Sequence, residues 1–205
     1  MSDMATTIEE TIHVPLHRIS VDEYHRMGEA GVFGPDERLE LLDGVLIAMP
    51  PIGPAHAFSV RALTDIFAAT FRGRAVVDVQ NPVVIGPTSE PQPDVMLLRP
   101  PNARYAKGLP LTADALLVVE VTESRRAVDR GPKLQAYARA GVSEVWIVDL
   151  VEGAVDVFTE PSGEDYARRS RAKRGDRLAP AAFPDAPIAV SDILPPLPDS
   201  AEPTG

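Results

Sequence analysis

The sequence predicts a mixed α/β (α+β) fold, in which helices flank a mixed β-sheet and a β-hairpin extends it near each end of the chain. An almost continuously apolar run at residues 115–121 is followed by a helical pattern and by a second apolar run at 144–150. This order is typical of two parallel strands joined by a crossover helix. Asp43-Gly44 separates two short apolar segments, and Pro161-Ser162-Gly163 separates two more. Both patterns indicate antiparallel hairpins.

The N-terminal half combines helices, a hairpin and short strands. Ser20 and Glu23 have the capping-box spacing, which predicts a helix over 21–30, and Gly31 is expected to end it. Apolar periodicity and turn residues predict the remaining elements. They are a hairpin at 39–42 and 45–48, a helix at 55–71, and strands at 75–79, 82–85 and 94–98.

The C-terminal half contains the crossover and the second hairpin. A helix is predicted over 129–140 with Gly141 as its cap, and the hairpin strands are predicted at 154–159 and 166–171. Prolines recur from Pro180 onward, so this segment is expected to form no regular helix and to wrap over the surface. The expected organisation is a flexible tail at 1–15, a single domain at 16–195 and a disordered proline-rich tail at 196–205.

Composition excludes several classes of protein. A chain of 205 residues fits one domain. No apolar run approaches the roughly 18 residues that cross a bilayer, and the first ten residues lack the basic and apolar regions of a secretory signal. The absence of cysteine excludes disulfides and thiolate chemistry. We therefore expect a soluble, cytoplasmic protein without membrane partners. No phosphate-binding loop of the Gly-x-x-x-x-Gly-Lys-Ser/Thr type occurs, so ATP coupling is not expected.

The net charge of −10 argues against broad electrostatic attraction to DNA. Any contact with nucleic acid must therefore be local. The basic stretch at 168–177 is one candidate, but a charged edge strand that blocks edge-to-edge pairing explains it better.

Glu120 is the most informative single residue. It lies between valines in the predicted buried strand, where an ionised carboxylate is costly unless a cation or strong donors meet it. A bound metal ion would compensate the charge of a buried Glu120 carboxylate. A structural ion pair with Arg125 or Arg126 is the alternative.

Asp94 indicates a functional site only when it is considered together with Glu120. Alone, an Asp after Pro93 at the start of a strand is commonly a turn residue. Two strands that each present a carboxylate can converge on one hard cation such as Mg²⁺ or Mn²⁺. The pair is therefore a candidate metal site.

Lys133 shares one helix face with Asp129 and Tyr137, because the three residues are spaced four apart. Taken alone, this spacing favours a salt bridge on a solvated surface, worth roughly 0.3 to 0.5 kcal/mol. Its role as a site residue depends on a wider resemblance.

Motifs along most of the chain resemble the Uma-type putative restriction endonuclease family, which belongs to the PD-(D/E)XK nuclease superfamily. Their order and spacing are specific to that family. The motifs are Glu40-Leu41-Leu42-Asp43-Gly44, Met49-Pro50-Pro51, His56, Pro93-Asp94-Val95, Val119-Glu120-Val121, the run from Asp129 to Val142, and Val145-Trp146-Ile147-Val148-Asp149. The resemblance implies a restriction-endonuclease-like fold, with acidic residues at strand ends.

The resemblance also implies roles for individual residues. By position, Asp94 and Glu120 correspond to the two acidic residues of the superfamily motif and would hold the metal. The sequence departs from that motif two residues after Glu120, where Thr122 replaces the expected lysine. Lys133 on the following helix is then the candidate for the positive group.

Three further residues are secondary candidates. Glu40 and His56 match family positions and would be additional ligands or orienting groups, and Tyr137 shares the helix face of Lys133. Local bonding at the start of a helix is the alternative for His56. Glu40 could instead pair with Arg38 or Lys133.

The expected activity is Mg²⁺- or Mn²⁺-assisted hydrolysis of DNA phosphodiesters, with Asp94, Glu120 and Lys133 as catalytic residues. The resemblance implies a homodimer, which would suit duplex DNA. A nuclease-fold DNA-binding or accessory protein without efficient hydrolysis is the alternative, kept open by Thr122. Hydrolysis of another phosphoester is a third possibility.

Overall fold

A six-stranded mixed sheet lies at the centre of the fold. The computed structural model of the protein describes residues 15–123 and 131–197. Its helices are α1 (Val21–Glu29), α2 (Pro54–Thr70), α3 (Pro132–Ala140) and α4 (Val190–Ile193). Its strands are β1 (Leu39–Leu42), β2 (Val45–Ala48), β3 (Val76–Val79), β4 (Val95–Leu98), β5 (Ala115–Thr122), β6 (Glu144–Asp149), β7 (Ala154–Ser162), β8 (Asp165–Lys173), β9 (Arg177–Leu178) and β10 (Ile188–Ala189).

The strand order of the main sheet is β3-β4-β5-β6-β7-β8. β5 and β6 are parallel and α3 lies between them in the chain, whereas the other neighbours in this sheet are antiparallel. The mixed α/β fold with its crossover and two hairpins is therefore confirmed. Within the described ranges, no helix has both the length and the apolar character needed to cross a bilayer.

β5 is buried on both faces because helices cover each side of the sheet. Val119 packs into a core with Leu63 and Phe67 of α2. Val118 faces the opposite core, which contains Leu134 of α3. Since side chains alternate along a strand, residue 120 lies on the α3 face of the sheet.

The predicted strand at 82–85 does not form. Val83 and Ile85 are buried, but the segment makes single backbone contacts with other loops and does not join the sheet. Pro82 has no backbone N–H to donate, and the Val84 N–H donates to the Pro110 carbonyl at 2.9 Å. An apolar pattern between prolines therefore indicated burial correctly and secondary structure wrongly.

The segment from Pro180 to Leu194 keeps many of its residues exposed, as expected of a chain that wraps over the surface, but it turns its apolar side chains inward. Its five apolar side chains join the α2-side core. They are Phe183, Ile188, Val190, Ile193 and Leu194. The prolines stop long helices, but they leave these apolar residues free to be buried, and the proline-free stretch forms the short helix α4.

We expect Phe183→Leu to lower the free energy of unfolding by about 1 to 2 kcal/mol, because it removes a ring that stacks on Phe71 with centroids 4.7 Å apart. Chemical denaturation would measure the loss. Leu197→Ala is the control, since Leu197 is 69% exposed and should change stability by less than about 0.5 kcal/mol. Equal stabilities for both variants would show that this segment is not part of the core.

The basic stretch at 168–177 lies mainly on β8, the edge strand of the sheet. Arg168 pairs with Glu160 at 3.0 Å, and Arg171 pairs with Asp156 at 2.7 Å. These arginines are matched by carboxylates of the neighbouring strand, which favours a protected sheet edge over a DNA-binding patch.

Candidate active site

Asp94 and Glu120 come from adjacent strands of the sheet. Val95 pairs with Val119 in the antiparallel β4–β5 ladder, so the next position brings Asp94 opposite Glu120. Opposed residues of antiparallel strands have Cβ atoms roughly 4.5 to 5.5 Å apart. The strand register therefore brings together the two carboxylates that the sequence singled out.

Asp94 is held by three donors. Its Oδ2 accepts the Val121 backbone N–H at 2.8 Å and lies 3.0 Å from His56 Nε2, and its Oδ1 accepts from Gln80 at 3.2 Å. Burial opposes ionisation, but these hydrogen bonds and the positive charge of His56 outweigh it and lower the pKa of Asp94. Asp94 is thus a fixed, ionised carboxylate near neutral pH.

Glu120 is buried and shares its donors with other groups. Its Oε1 accepts the Tyr137 hydroxyl at 2.6 Å and lies 3.0 Å from Lys133 Nζ. Burial raises the pKa of Glu120 to about 8 even though the charge of Lys133 lowers it, and Asp94 and Glu40 add to the rise. In the absence of a further cation, Glu120 therefore holds a proton near neutral pH.

Lys133 is internal, which contradicts the salt bridge on a solvated surface that its spacing alone favoured. Its side chain is 6% exposed, and its Nζ lies 2.9 Å from Glu40 and 3.0 Å from Glu120. Burial disfavours the charged amine, but these two carboxylates outweigh it and raise the pKa of Lys133. Asp129, the surface partner in that interpretation, lies outside the described residues, as do the arginines considered for Glu120.

Glu40 pairs with Lys133, as one of its two sequence alternatives proposed. Its Oε2 also accepts the backbone N–H of Gln92 at 3.1 Å. One ammonium thus contacts two buried carboxyl groups, those of Glu40 and Glu120.

His56 contacts the site through both its ring and its backbone, and both partners are distant in sequence. Its N–H near the start of α2 donates to Glu123 at 2.9 Å, while Nε2 contacts Asp94 and Nδ1 is buried without a hydrogen-bond partner among the described residues. Burial lowers the pKa of His56, but the hydrogen bond and charge of Asp94, with Glu123 and Glu120, raise it overall.

Sequence reasoning did not find Gln80 or Glu123. Gln80 follows β3 directly, has a left-handed backbone with φ of 52°, and donates its own N–H to the Asp94 carbonyl at 3.1 Å. Such conformations cluster at functional sites. Its position at the end of the strand that pairs with β4 is the one sequence signal that could have indicated it.

Glu123 follows β5 and closes the N-terminus of α2. A methyl group built on Gly53, the N-cap of α2, would lie 2.3 Å from a Glu123 carboxylate oxygen. The absence of a side chain at Gly53 lets the carboxylate approach the orphan N–H groups of the helix.

These groups line one cleft with a volume of about 640 Å³. Its polar floor contains Asp94, Glu120, Lys133, Glu40 and His56. Tyr137 lies behind Glu120 and does not line the cleft. The structure thus brings all three predicted catalytic residues and two of the three secondary candidates to one surface.

The donor chemistry of the cleft fits a divalent cation. Asp94, Glu120 and Glu40 contribute carboxyl oxygens to the cleft. Mg²⁺ prefers oxygen ligands and commonly uses one or two carboxylates, completing its shell with water and phosphate. Within residues 15–123 and 131–197, no three His, Asp or Glu side chains gather into a complete metal cage. Asp94 and Glu120 would therefore hold the ion as a pair.

We expect Tyr137→Phe to raise the pKa of Glu120 further above its usual range, because the hydroxyl stabilises the carboxylate at 2.6 Å. The loss of this hydrogen bond should also cost about 1 kcal/mol of stability. Carboxyl-carbon NMR titration of the metal-free protein would measure the pKa. Tyr166→Phe is the control, because its buried hydroxyl donates to the Val142 carbonyl at 2.9 Å. An equal pKa of Glu120 in both variants would contradict the assignment.

The fold is shared with a protein of known structure. The crystal structure described as "a putative nuclease belonging to DUF820", from Anabaena variabilis ATCC 29413, superposes with a TM-score of 0.66. It is 13% identical, and the match covers 85% of this chain and 97% of that chain. At this identity the likeness concerns the fold alone. Fold and cleft together define a mixed α/β protein with an acidic cleft at the ends of two central strands.

The chain belongs to the Uma2 family, described as "Putative restriction endonuclease", which matches residues 21–191. The family resemblance of the sequence motifs is therefore confirmed. None of the curated proteins compared with the chain matches it.

Proposed function

We propose that this protein hydrolyses phosphodiester bonds of DNA with Mg²⁺ or Mn²⁺ as cofactor. The observation that carries the proposal is that Asp94 and Glu120 line one cleft, in which Lys133 Nζ lies 3.0 Å from Glu120. Family membership and the nuclease fold support the same reaction.

Each residue has a distinct role in this proposal. Asp94, fixed and ionised by its three donors, presents a preformed negative charge to the cation. Glu120 releases its proton to become the second ligand, and Lys133 remains charged beside it to orient the attacking water or stabilise charge on the phosphate. The bound cation would supply Lewis-acid stabilisation and acidify water.

Turnover on DNA tests the proposal directly. We expect the purified protein to cleave plasmid or oligonucleotide DNA with Mg²⁺ or Mn²⁺ and to stop when EDTA is added. Binding without turnover under every metal condition would overturn it. That result would favour the second candidate, a nuclease-fold accessory protein, which Thr122 at the position of the superfamily lysine supports.

Metal binding should release a proton at neutral pH. Folded, metal-free Glu120 has a pKa of about 8, whereas a metal ligand must be ionised. Affinity should therefore rise with pH up to about 8 and level off above it.

Calorimetry in two buffers with different ionisation enthalpies would measure the released proton. Glu120→Gln is the control, because it removes the titrating group. Proton release that persists in this variant would assign it to another residue.

A cytoplasmic homodimer is part of the proposal. Two-fold pairing would place two copies of the cleft in one assembly. Light scattering would measure the mass in solution, and a monomer that retains cleavage would overturn the dimer without affecting the reaction.

A further inference from the structure

One wall of the cleft is an exposed apolar segment. Residues 48–52, Ala-Met-Pro-Pro-Ile, form five consecutive apolar positions between β2 and α2, which we call the lip. Ile52 is 43% exposed, and Ala48, Pro50 and Pro51 are exposed as well. Consecutive exposed apolar residues are a liability on an acidic, water-facing surface unless they bind something.

Both ends of the lip are fixed against the site. The Met49 N–H donates to the Arg38 carbonyl at 2.9 Å at one end. Glu123 holds the start of α2 at the other, through the His56 N–H. The lip is therefore a positioned wall that lines the same cleft as Asp94 and Glu120.

Arg38 is the cation of this cleft that remains available to a ligand. Lys133 is taken by Glu40 and Glu120. Arg38 is exposed, lines the cleft, and makes no ion pair within the described part of the chain. Among the cleft residues that the structure describes, phosphate recognition therefore depends on one guanidinium. Proteins that bind a duplex through its backbone usually neutralise several phosphates with Lys and Arg.

We propose that the cleft takes unpaired nucleotides, with a base against the lip and a neighbouring phosphate at Arg38. The inference rests on the proposed function and names its substrate class. In a duplex the base faces are stacked inside and cannot reach an apolar wall. In single-stranded, overhanging or unwound DNA they are exposed and pack on aromatic and apolar side chains.

The size of the cleft agrees with this substrate. Its volume of about 640 Å³ lies within the roughly 300 to 1,000 Å³ of sites that enclose small ligands. It suits one or two nucleotides that enter between the lip and the carboxylates, and the scissile phosphate then faces Asp94 and Glu120.

Cleavage assays on three forms of one DNA sequence test the proposal. The forms are a single strand, a blunt duplex, and the duplex with a single-stranded overhang. With Mg²⁺ or Mn²⁺, we expect the wild-type protein to cleave the single strand and the overhang at least about tenfold faster than the blunt duplex.

Two variants test the two contacts. Ile52→Ser should raise KM for the single strand about fivefold or more and leave kcat nearly unchanged. Arg38→Gln should weaken binding and reduce the slope of log affinity against log salt by about 0.7, the value for one phosphate on a single strand. Leu111→Ser is the control. Leu111 is 55% exposed and lies before the N-terminal end of β5, whereas Glu120 lies near its C-terminal end.

The outcomes separate the substrate class from the activity. Equal cleavage of the blunt duplex and the single strand, or an Ile52→Ser variant that behaves like Leu111→Ser, would overturn the inference and leave the nuclease proposal standing. A different case arises if the wild-type protein cleaves none of the three forms. The nuclease proposal then fails. Fluorescence anisotropy with labelled DNA in Ca²⁺ then decides the inference. Tighter binding of the single strand than of the duplex would support it, and equal or absent binding would overturn it. An Ile52→Ser change that converts a dimer to a monomer with unchanged DNA binding would assign the lip to self-association and overturn it too.

Discussion

Asp94→Asn and Glu120→Gln are each expected to lower the rate of metal-dependent DNA cleavage at least about 100- to 1,000-fold, the loss typical of one preorganised charge at a reaction centre. Both substitutions keep the size of the side chain and remove its ability to carry negative charge. Asp94 is the carboxylate whose environment favours ionisation, and Glu120 is the one beside Lys133. Rates with Mg²⁺ and Mn²⁺ would measure the effect.

The fold should survive both substitutions. Burial already favours the neutral form of Glu120, so a neutral amide at 120 should change stability by only about 1 kcal/mol. Asp65→Asn, at an exposed position of α2, is the matched control and should cleave at the wild-type rate. Near-normal cleavage by either the position 94 or the position 120 variant, with circular dichroism and melting unchanged, would remove that residue from the site.

Lys133→Met is expected to lower the free energy of unfolding by about 3 to 5 kcal/mol, the usual cost of removing one partner from a buried ion pair. The substitution keeps the length of the side chain but leaves Glu40 and Glu120 buried without their shared cation. The loss should grow with rising pH, because burial favours the protonated form of Glu120 and rising pH removes that proton. Urea denaturation at two pH values would measure it.

A second substitution separates the structural role of Lys133 from its chemical role. Glu40→Gln in the Lys133→Met background removes one buried charge and should recover part of the stability without restoring cleavage. Lys173→Met is the control, because Lys173 is exposed on the edge strand β8. If Lys133→Met is as stable as Lys173→Met, the buried ammonium is not a structural requirement.

The fold and the acidic pair could be predicted because they depend on local patterns. The run of valines around Glu120 identifies a strand buried on both faces, and a short strand that starts after Asp94 needs only an antiparallel neighbour to bring the two carboxylates together. Lys133 followed from the family motif, since its local spacing favoured the surface. Its burial depends on how α3 packs on the sheet, which no local pattern contains.

The remaining features depend on long-range contacts. Gln80 and His56 meet Asp94 across 14 and 38 residues of sequence, and neither has a local signal for its partner. The burial of apolar side chains in the C-terminal segment depends on distant contacts in the same way. Its prolines describe the backbone, whereas the burial of Phe183 depends on a gap beside Phe71 that forms only when the sheet and α2 are in place.

Gly53 makes one corner of the cleft adjustable without a change to the reacting groups. Any side chain there must displace the Glu123 carboxylate, which ends a flexible chain and can move at little cost. The displaced carboxylate would uncover the amide of His56 and alter the cleft at the junction of the lip and α2. A single small-to-larger change at position 53 would thus alter the ligands that the cleft accepts, while Asp94, Glu120 and Lys133 stay in place.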